Sequence, residues 1–321
     1  MTKTVKLIDL DPPKNDFLND VICGLSTKPK YLLPIYFYDE TGSKLFDQIC
    51  ELKEYYPTRT ELGILEKKNE AIEAFLDKNT RLVEFGSGSS TKIRLLLDES
   101  EKIQSYMPID ISKEHLTNAA QSIADAYPDL SVTAVCADYT RLNKLPTTPA
   151  NETQSQAIFF PGSTLGNLTE TSARDLLKNA HQMLDKNGKL IIGIDLIKDM
   201  QTLVNAYNDS KGITAKFNKN ILIRANRELN ANFDLDKFSH KAIFNETYRR
   251  IEMHLFSLEA QTVTIADHQF HFEKGESIHT ESSHKYDLNE FKAFCKTCGF
   301  ELSDAFTDEN EYFAVCALTA I

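Results

Sequence analysis

The chain has 321 residues, 41% hydrophobic and 26% charged, with a net charge of −11 and a pI of about 5.3. That length supports one large or two modest domains, and the composition is that of a globular protein with its own core. No Lys/Arg block offers the basic patch a nucleic-acid ligand requires, and no apolar run reaches the ~18–20 residues of a membrane span.

The opening stretch MTKTVKLIDLDPPKND lacks the apolar core of a signal peptide, so a cytoplasmic location is expected. Periodicity alone leaves the first 80 residues unplaced. From Arg81 onward strands and helices alternate. The strand runs are RLVEFG, SYMPIDIS (Ser105–Ser112), SVTAVCAD (Ser131–Asp138), QAIFFPGS (Gln156–Ser163) and KLIIGIDL (Lys189–Leu196). Amphipathic helices such as KEHLTNAAQSIADAY separate them, which predicts an α/β fold with a parallel, doubly wound sheet. The pattern then changes. DMQTLVNAYNDSKGITAKFNKNILIRANREL reads as helical, and the segment from Asp234 to Phe272 as antiparallel strands with short turns. A helix over Leu288–Cys298 and two strands around a tight turn close the chain. A sheet interrupted after its fifth strand by an inserted unit, then completed by an antiparallel hairpin, is therefore expected. Such a hairpin is common in S-adenosylmethionine methyltransferases and atypical of nicotinamide dehydrogenases.

Two residue clusters invite a metal and are read otherwise. Cys295 and Cys298 have CxxC spacing with no second pair beside them, and with Phe291 and Phe294 they mark one buried helix face. His268, His271, His279 and His284 lie near Glu281, but strand alternation scatters them over two faces. No metal is expected.

The turn in LVEFGSGSSTKIRLLL can cradle a pyrophosphate, a nucleoside triphosphate or the methionine end of S-adenosylmethionine. The P-loop pattern is absent, and Thr91 stands where a dinucleotide fingerprint needs its third glycine after Gly86 and Gly88. Glu84 precedes the turn, where an acid suits an ammonium better than a pyrophosphate. Asp110 ends the second strand, where a carboxylate can accept both ribose hydroxyls. Asp138 ends the third, placed for the adenine amino group with Tyr139 beside the ring. Lys92, opening the following helix, can meet the methionine carboxylate with help from the helix dipole. These residues point to S-adenosyl-L-methionine. After the fourth strand, Gly162 permits close backbone approach, and Asn167 offers either a carboxamide acceptor near the methyl-transfer point or a helix cap or Asx turn.

Over essentially its whole length the chain resembles the histidine-specific Nα-methyltransferases of ergothioneine biosynthesis. The resemblance rests on YFYDETGSKLFDQICELKEYYPTRTE, LVEFGSGSSTK, PGSTLGNLT, LVNAYND, DLDKFSH with RIEMHL, and HTESSHK, in that order. It implies a class I, Rossmann-like methyltransferase domain made of 61–196 and 287–321, with an α+β substrate domain made of 1–60 and 197–286. It further implies three methyl transfers to the α-amine of L-histidine, giving hercynine, with no obligate protein partner. Cofactor contacts are implied at Gly86, Lys92, Asp110, Asp138 and Tyr139. The backbone end of the substrate is implied to meet Tyr55, Gly162, Asn167 and Tyr207, with Tyr38 near the amine. The imidazole is implied to meet Glu281 and Ser283, with Met253 beside the ring. An enzyme of the same build acting on a tryptophan derivative is the alternative.

Overall fold

The structure, a computed structural model, describes residues 5–12, 16–88, 90–98, 100–147 and 155–321. Ser89, within the glycine turn, lies outside them. In chain order the strands are β1 (Lys6–Asp9), β2 (Lys30–Tyr31), β3 (Thr80–Phe85), β4 (Ile103–Asp110), β5 (Ser131–Cys136), β6 (Ser155–Phe160) and β7 (Lys189–Asp195). They continue with β8 (Phe238–Asn245), β9 (Arg250–Ser257), β10 (Gln261–Ile265), β11 (His268–Phe272), β12 (Ser277–His284), β13 (Phe300–Thr307) and β14 (Phe313–Ala320). The helices are α1 (Phe17–Ser26), α2 (Glu40–Cys50), α3 (Tyr56–Lys67), α4 (Asn69–Phe75) and α5 (Thr91–Asp98). After them come α6 (Lys113–Ala126), α7 (Glu170–Met183), α8 (Met200–Tyr207), α9 (Ile213–Leu229) and α10 (Leu288–Thr297).

The chain divides into two compact units. The first comprises Met1–Pro13, Arg59–Leu196 and Tyr286–Ile321. Its sheet runs β1-β5-β4-β3-β6-β7-β14-β13, parallel up to β7 and antiparallel for the closing hairpin. Strand β3 is the switch point: the chain leaves it toward β4 and β5 on one side and returns to β6 and β7 on the other. This order, with the last strand set between the fifth and the sixth of the core, is that of a class I methyltransferase. Successive side chains of β3 enter different cores. Val83 and Phe85 join Phe160, Leu176 and Phe291, whereas Leu82 joins Ile93, Tyr106 and Leu116. Apolar cover on both faces accounts for the wholly buried TRLVEF run. Phe291 and Cys295 of α10 are buried, as is Cys298 at its C-terminal cap, and burial raises both thiols above their ordinary pKa.

Residues 1–60 do not fall together. Lys6–Asp9 pairs in parallel with Thr133–Cys136, extending the large sheet beyond β5. The physical reason is the edge: without β1 the outer side of β5 would present unpaired backbone groups.

The second unit comprises Lys14–Thr58 and Ile197–Lys285. Its main sheet runs β2-β12-β9-β8, with β10 and β11 forming a separate hairpin. The helical stretch after Asp199 is two helices rather than one, broken at Asn208–Gly212, where Gly212 takes φ +68°. Between His279 and Glu281 the β9–β12 register shifts by one residue. His279 faces His254, yet Glu281 faces Met253 and Ser283 faces Ile251. The hydroxyl of Thr280, the extra residue, lies 2.7 Å from Asn218 Oδ1 and 3.0 Å from the Met253 carbonyl, and its one hydrogen is directed between these two acceptors. Such a bulge re-aims the side chains that follow it. Among the described residues no helix is long and apolar enough to cross a membrane, and no group of three or more His, Cys, Asp or Glu is placed to hold a metal ion.

Candidate active site

In the first unit the candidate cofactor residues collect at the carboxyl ends of the parallel strands around the switch point, where open α/β sheets bind ligands. The turn after β3 depends on backbone that only glycine adopts freely: Gly86 has φ +72°, and its amide donates to the Ile109 carbonyl at 2.9 Å. Among the described residues the buried hydroxyls of Ser87 and Ser90 have no hydrogen-bond partner. A polar ligand on this turn would meet that need. His115 Nε2 lies 2.9 Å from the Gly88 carbonyl and ties α6 to the turn.

Asp110 Oδ1 accepts the Ser112 amide at 2.9 Å, and burial raises its carboxyl above the usual range. Asp138 Oδ1 accepts the Thr140 amide at 3.0 Å and the Thr140 hydroxyl at 2.6 Å, while Oδ2 lies 3.3 Å from Arg141 Nε. Tyr139 packs against two aromatic rings. Its ring stacks on Phe85 at 5.1 Å and meets the edge of Phe160 at 5.7 Å. Glu84 is placed differently from the two aspartates. It is buried beneath the turn and accepts the Tyr106 hydroxyl. Burial pushes its carboxyl up to about 8, against the Tyr106 hydrogen bond and the Lys92 charge.

Lys92 has a partner that sequence reasoning missed. Its ammonium lies 2.5 Å from Glu61 Oε2, a carboxylate only 1% exposed. The same carboxylate accepts the Gly162 amide through both oxygens, at 2.9 and 3.0 Å. Glu61 thus joins the start of α5 to the loop after β6. Gly193 on β7 makes room for it, since a Cβ there would lie 2.1 Å from Glu61 Oε1. Gly162 itself has φ +83°, and Ser163 beside it accepts the Asp195 amide at 2.9 Å. Asn167 closes the short 3-10 turn Thr164–Asn167. It is not the cap of α7, because Thr169 occupies that position and accepts the Ser172 amide at 3.2 Å.

In the second unit the candidate substrate residues form a polar group on an otherwise apolar face. Met253, Glu281 and Ser283 lie together on the β9–β12 face, all buried. Tyr207, at the end of α8, donates to Ser283 Oγ at 2.9 Å. Burial pushes the Glu281 carboxyl up to about 7, opposed by the Lys285 charge. Tyr55 packs edge-on against Tyr207 at 6.0 Å and against Phe46 at 6.3 Å. Its hydroxyl pKa is raised by burial first, then by the neighbouring Tyr207, Cys50, Tyr38 and Glu281. Tyr38 is 44% exposed, its ring edge-on to Phe46 and Phe217. Phe46 therefore links Tyr38 to Tyr55. No local signal marked Phe46, Tyr106 or Glu61, because each fits the apolar or polar pattern of its own element.

A family model described as "Histidine-specific methyltransferase, SAM-dependent" matches residues 17–320. A "Histidine N-alpha-methyltransferase" of Mycolicibacterium smegmatis is 41% identical over 295 residues, which cover 90% of this chain and 90% of that one. The protein of the same name from Mycobacterium tuberculosis is 38% identical over 302 residues, 92% of each. "Ergothioneine biosynthesis protein 1" of Neurospora crassa is 28% identical over 290 residues, 88% of this chain and 32% of that longer protein. Together with the strand order and the glycine turn, these matches establish that the chain belongs to the histidine-specific, S-adenosylmethionine-dependent methyltransferase family.

Proposed function

We propose that the protein methylates the α-amine of L-histidine three times, giving hercynine for ergothioneine biosynthesis. The names and coverage of the relatives support the reaction. The observation that most supports the substrate is the Glu281–Ser283–Tyr207 group, a carboxylate and a hydroxyl with the complementary capacities an imidazole requires. We assign the first unit to the cofactor and the second to the substrate.

When bound, S-adenosylmethionine supplies the methyl group on a sulfonium. Gly86, Gly88, Lys92, Asp110, Asp138 and Tyr139 would hold it at the strand ends, with Glu84 beneath the turn and Glu61 fixing Lys92. Methyl transfer requires a neutral amine with its lone pair in line, so the chain's main contribution is orientation, worth up to ~7–11 kcal/mol in well-oriented cases. We assign that orientation to Asn167, the Gly162 backbone, Tyr55 and Tyr207. The trimethylated product carries a permanent positive charge, which aromatic faces stabilise by ~0.5–2 kcal/mol each. Tyr38, Phe46 and Tyr55 form an aromatic series suited to it. The reaction needs two kinds of small molecule and no obligate protein partner, and we read the protein as cytoplasmic.

The test is incubation with isotopically labelled S-adenosylmethionine and each of the common amino acids, read by mass spectrometry. Mono-, di- and trimethylhistidine should appear in sequence. Absence of methylated histidine, or preference for tryptophan or a derivative, would overturn the assignment.

A further inference from the structure

Lys285 is buried directly after β12, with its amide donating to the Arg249 carbonyl at 2.8 Å. A buried ammonium is expensive unless its donors are used. Here Nζ donates to Ser283 Oγ at 2.8 Å and to the Tyr207 hydroxyl oxygen at 3.3 Å, and lies 5.0 Å from the centre of the Tyr207 ring. Tyr207 in turn donates its own hydrogen to Ser283 Oγ at 2.9 Å.

A serine hydroxyl has two acceptor sites and one hydrogen. Both acceptor sites of Ser283 are filled. Lysine cannot reverse its bond, because an ammonium accepts nothing. Tyr207 accepts from the ammonium, which favours passing its own hydrogen to Ser283. What Ser283 retains is its hydrogen.

We propose that Lys285 is a specificity-determining positioning residue that locks Ser283 as a donor. The pocket then presents one fixed donor, Ser283, and one fixed acceptor, Glu281. It selects a ring carrying both an accepting nitrogen and an N–H, in a single tautomer. The Lys285 charge also favours the ionised, accepting form of Glu281. The inference rests on the reading that Glu281 and Ser283 hold the substrate's ring.

The experiment compares kcat/KM for L-histidine with that for a pyrrolylalanine, in which a C–H replaces the accepting nitrogen. The wild-type protein should favour histidine by at least about 100-fold, since unpaired site groups penalise such analogues strongly. Lys285→Met should reduce that preference at least about tenfold, mainly through loss on histidine, with the KM for S-adenosylmethionine unchanged. In a Ser283→Ala background the same replacement should change the preference less than about twofold, because Lys285 acts through Ser283. Lys285→Arg, which keeps donors at this position, should restore part of the preference. If Lys285→Met does not fold, Tyr207→Phe makes the same test by opening one acceptor site on Ser283, and preference should again fall. Undiminished preference in Lys285→Met or Tyr207→Phe, with Ser283→Ala and Glu281→Gln both impaired on histidine, overturns the lock alone. Wild-type histidine activity in Ser283→Ala and Glu281→Gln overturns the pocket reading and the lock with it.

Discussion

Replacing Glu281 with Gln keeps the shape of the side chain and removes its charge. Burial holds the Glu281 carboxyl at about 7 rather than the ordinary 4.5, even with the Lys285 charge opposing it. The difference corresponds to about 3 kcal/mol of added cost for ionising it in place. The direction of the pH effect follows. The carboxylate, not the acid, is the acceptor an imidazole N–H needs. With a midpoint near 7 the ionised fraction climbs from about 0.09 at pH 6 to about 0.9 at pH 8, so histidine kcat/KM carried by this group rises about tenfold. A glutamine carbonyl accepts at every pH, though as a weaker, uncharged partner. The substrate's own imidazole and amine titrate in the same range, but identically in both proteins. The ratio of wild-type to variant kcat/KM therefore isolates the enzyme group. It should grow about tenfold between pH 6 and pH 8, measured by initial rates at saturating cofactor. A ratio that stays flat across that range would falsify the acceptor role of Glu281.

The remaining expectations concern the first unit. On the proposed assignment of Asp110 to the ribose hydroxyls, Asp110→Ala removes two charge-assisted bonds, each worth ~1.5–3 kcal/mol, and calorimetric titration should show S-adenosylmethionine affinity falling at least tenfold; unchanged affinity removes Asp110 from the site. Asn167→Ala should lower turnover about 100-fold with little change in cofactor affinity, because displacement of ~1 Å costs that much, and partly methylated histidine should accumulate. Normal hercynine formation would make Asn167 a purely structural residue. Gly193→Ala places a methyl 2.1 Å from Glu61 Oε1 and must displace the carboxylate that holds Lys92 and the Gly162 amide. Overpacking of this kind costs ~1–3 kcal/mol, so both thermal stability and cofactor affinity should drop; loss of stability alone would separate Glu61 from cofactor binding.

Much of this protein is written in local pattern. Buried strand runs alternating with amphipathic helices specify the parallel sheet, since a strand covered on both faces is predominantly apolar, as Leu190–Ile194 is. Gly86 and the acids at successive strand ends were legible for the same reason, because strand order places strand ends together. Other features depend on residues far apart in the chain. Periodicity leaves Lys6–Asp9 unplaced, and only the open side of β5 makes it a strand. Glu61 reads as a surface residue of an amphipathic helix until Lys92 and the Gly162 amide surround it. The bulge at Thr280 has no local mark, yet it decides which face Glu281 and Ser283 take. Without that extra residue the register after His279 would set Glu281 against Glu252, on the face opposite Met253. With it, Glu281 and Ser283 turn to the face that carries Met253 and Ile251. A one-residue shift reverses every side chain that follows, because strand side chains alternate with a period of two; composition and motif cannot register such a shift, and pairing with a distant strand can.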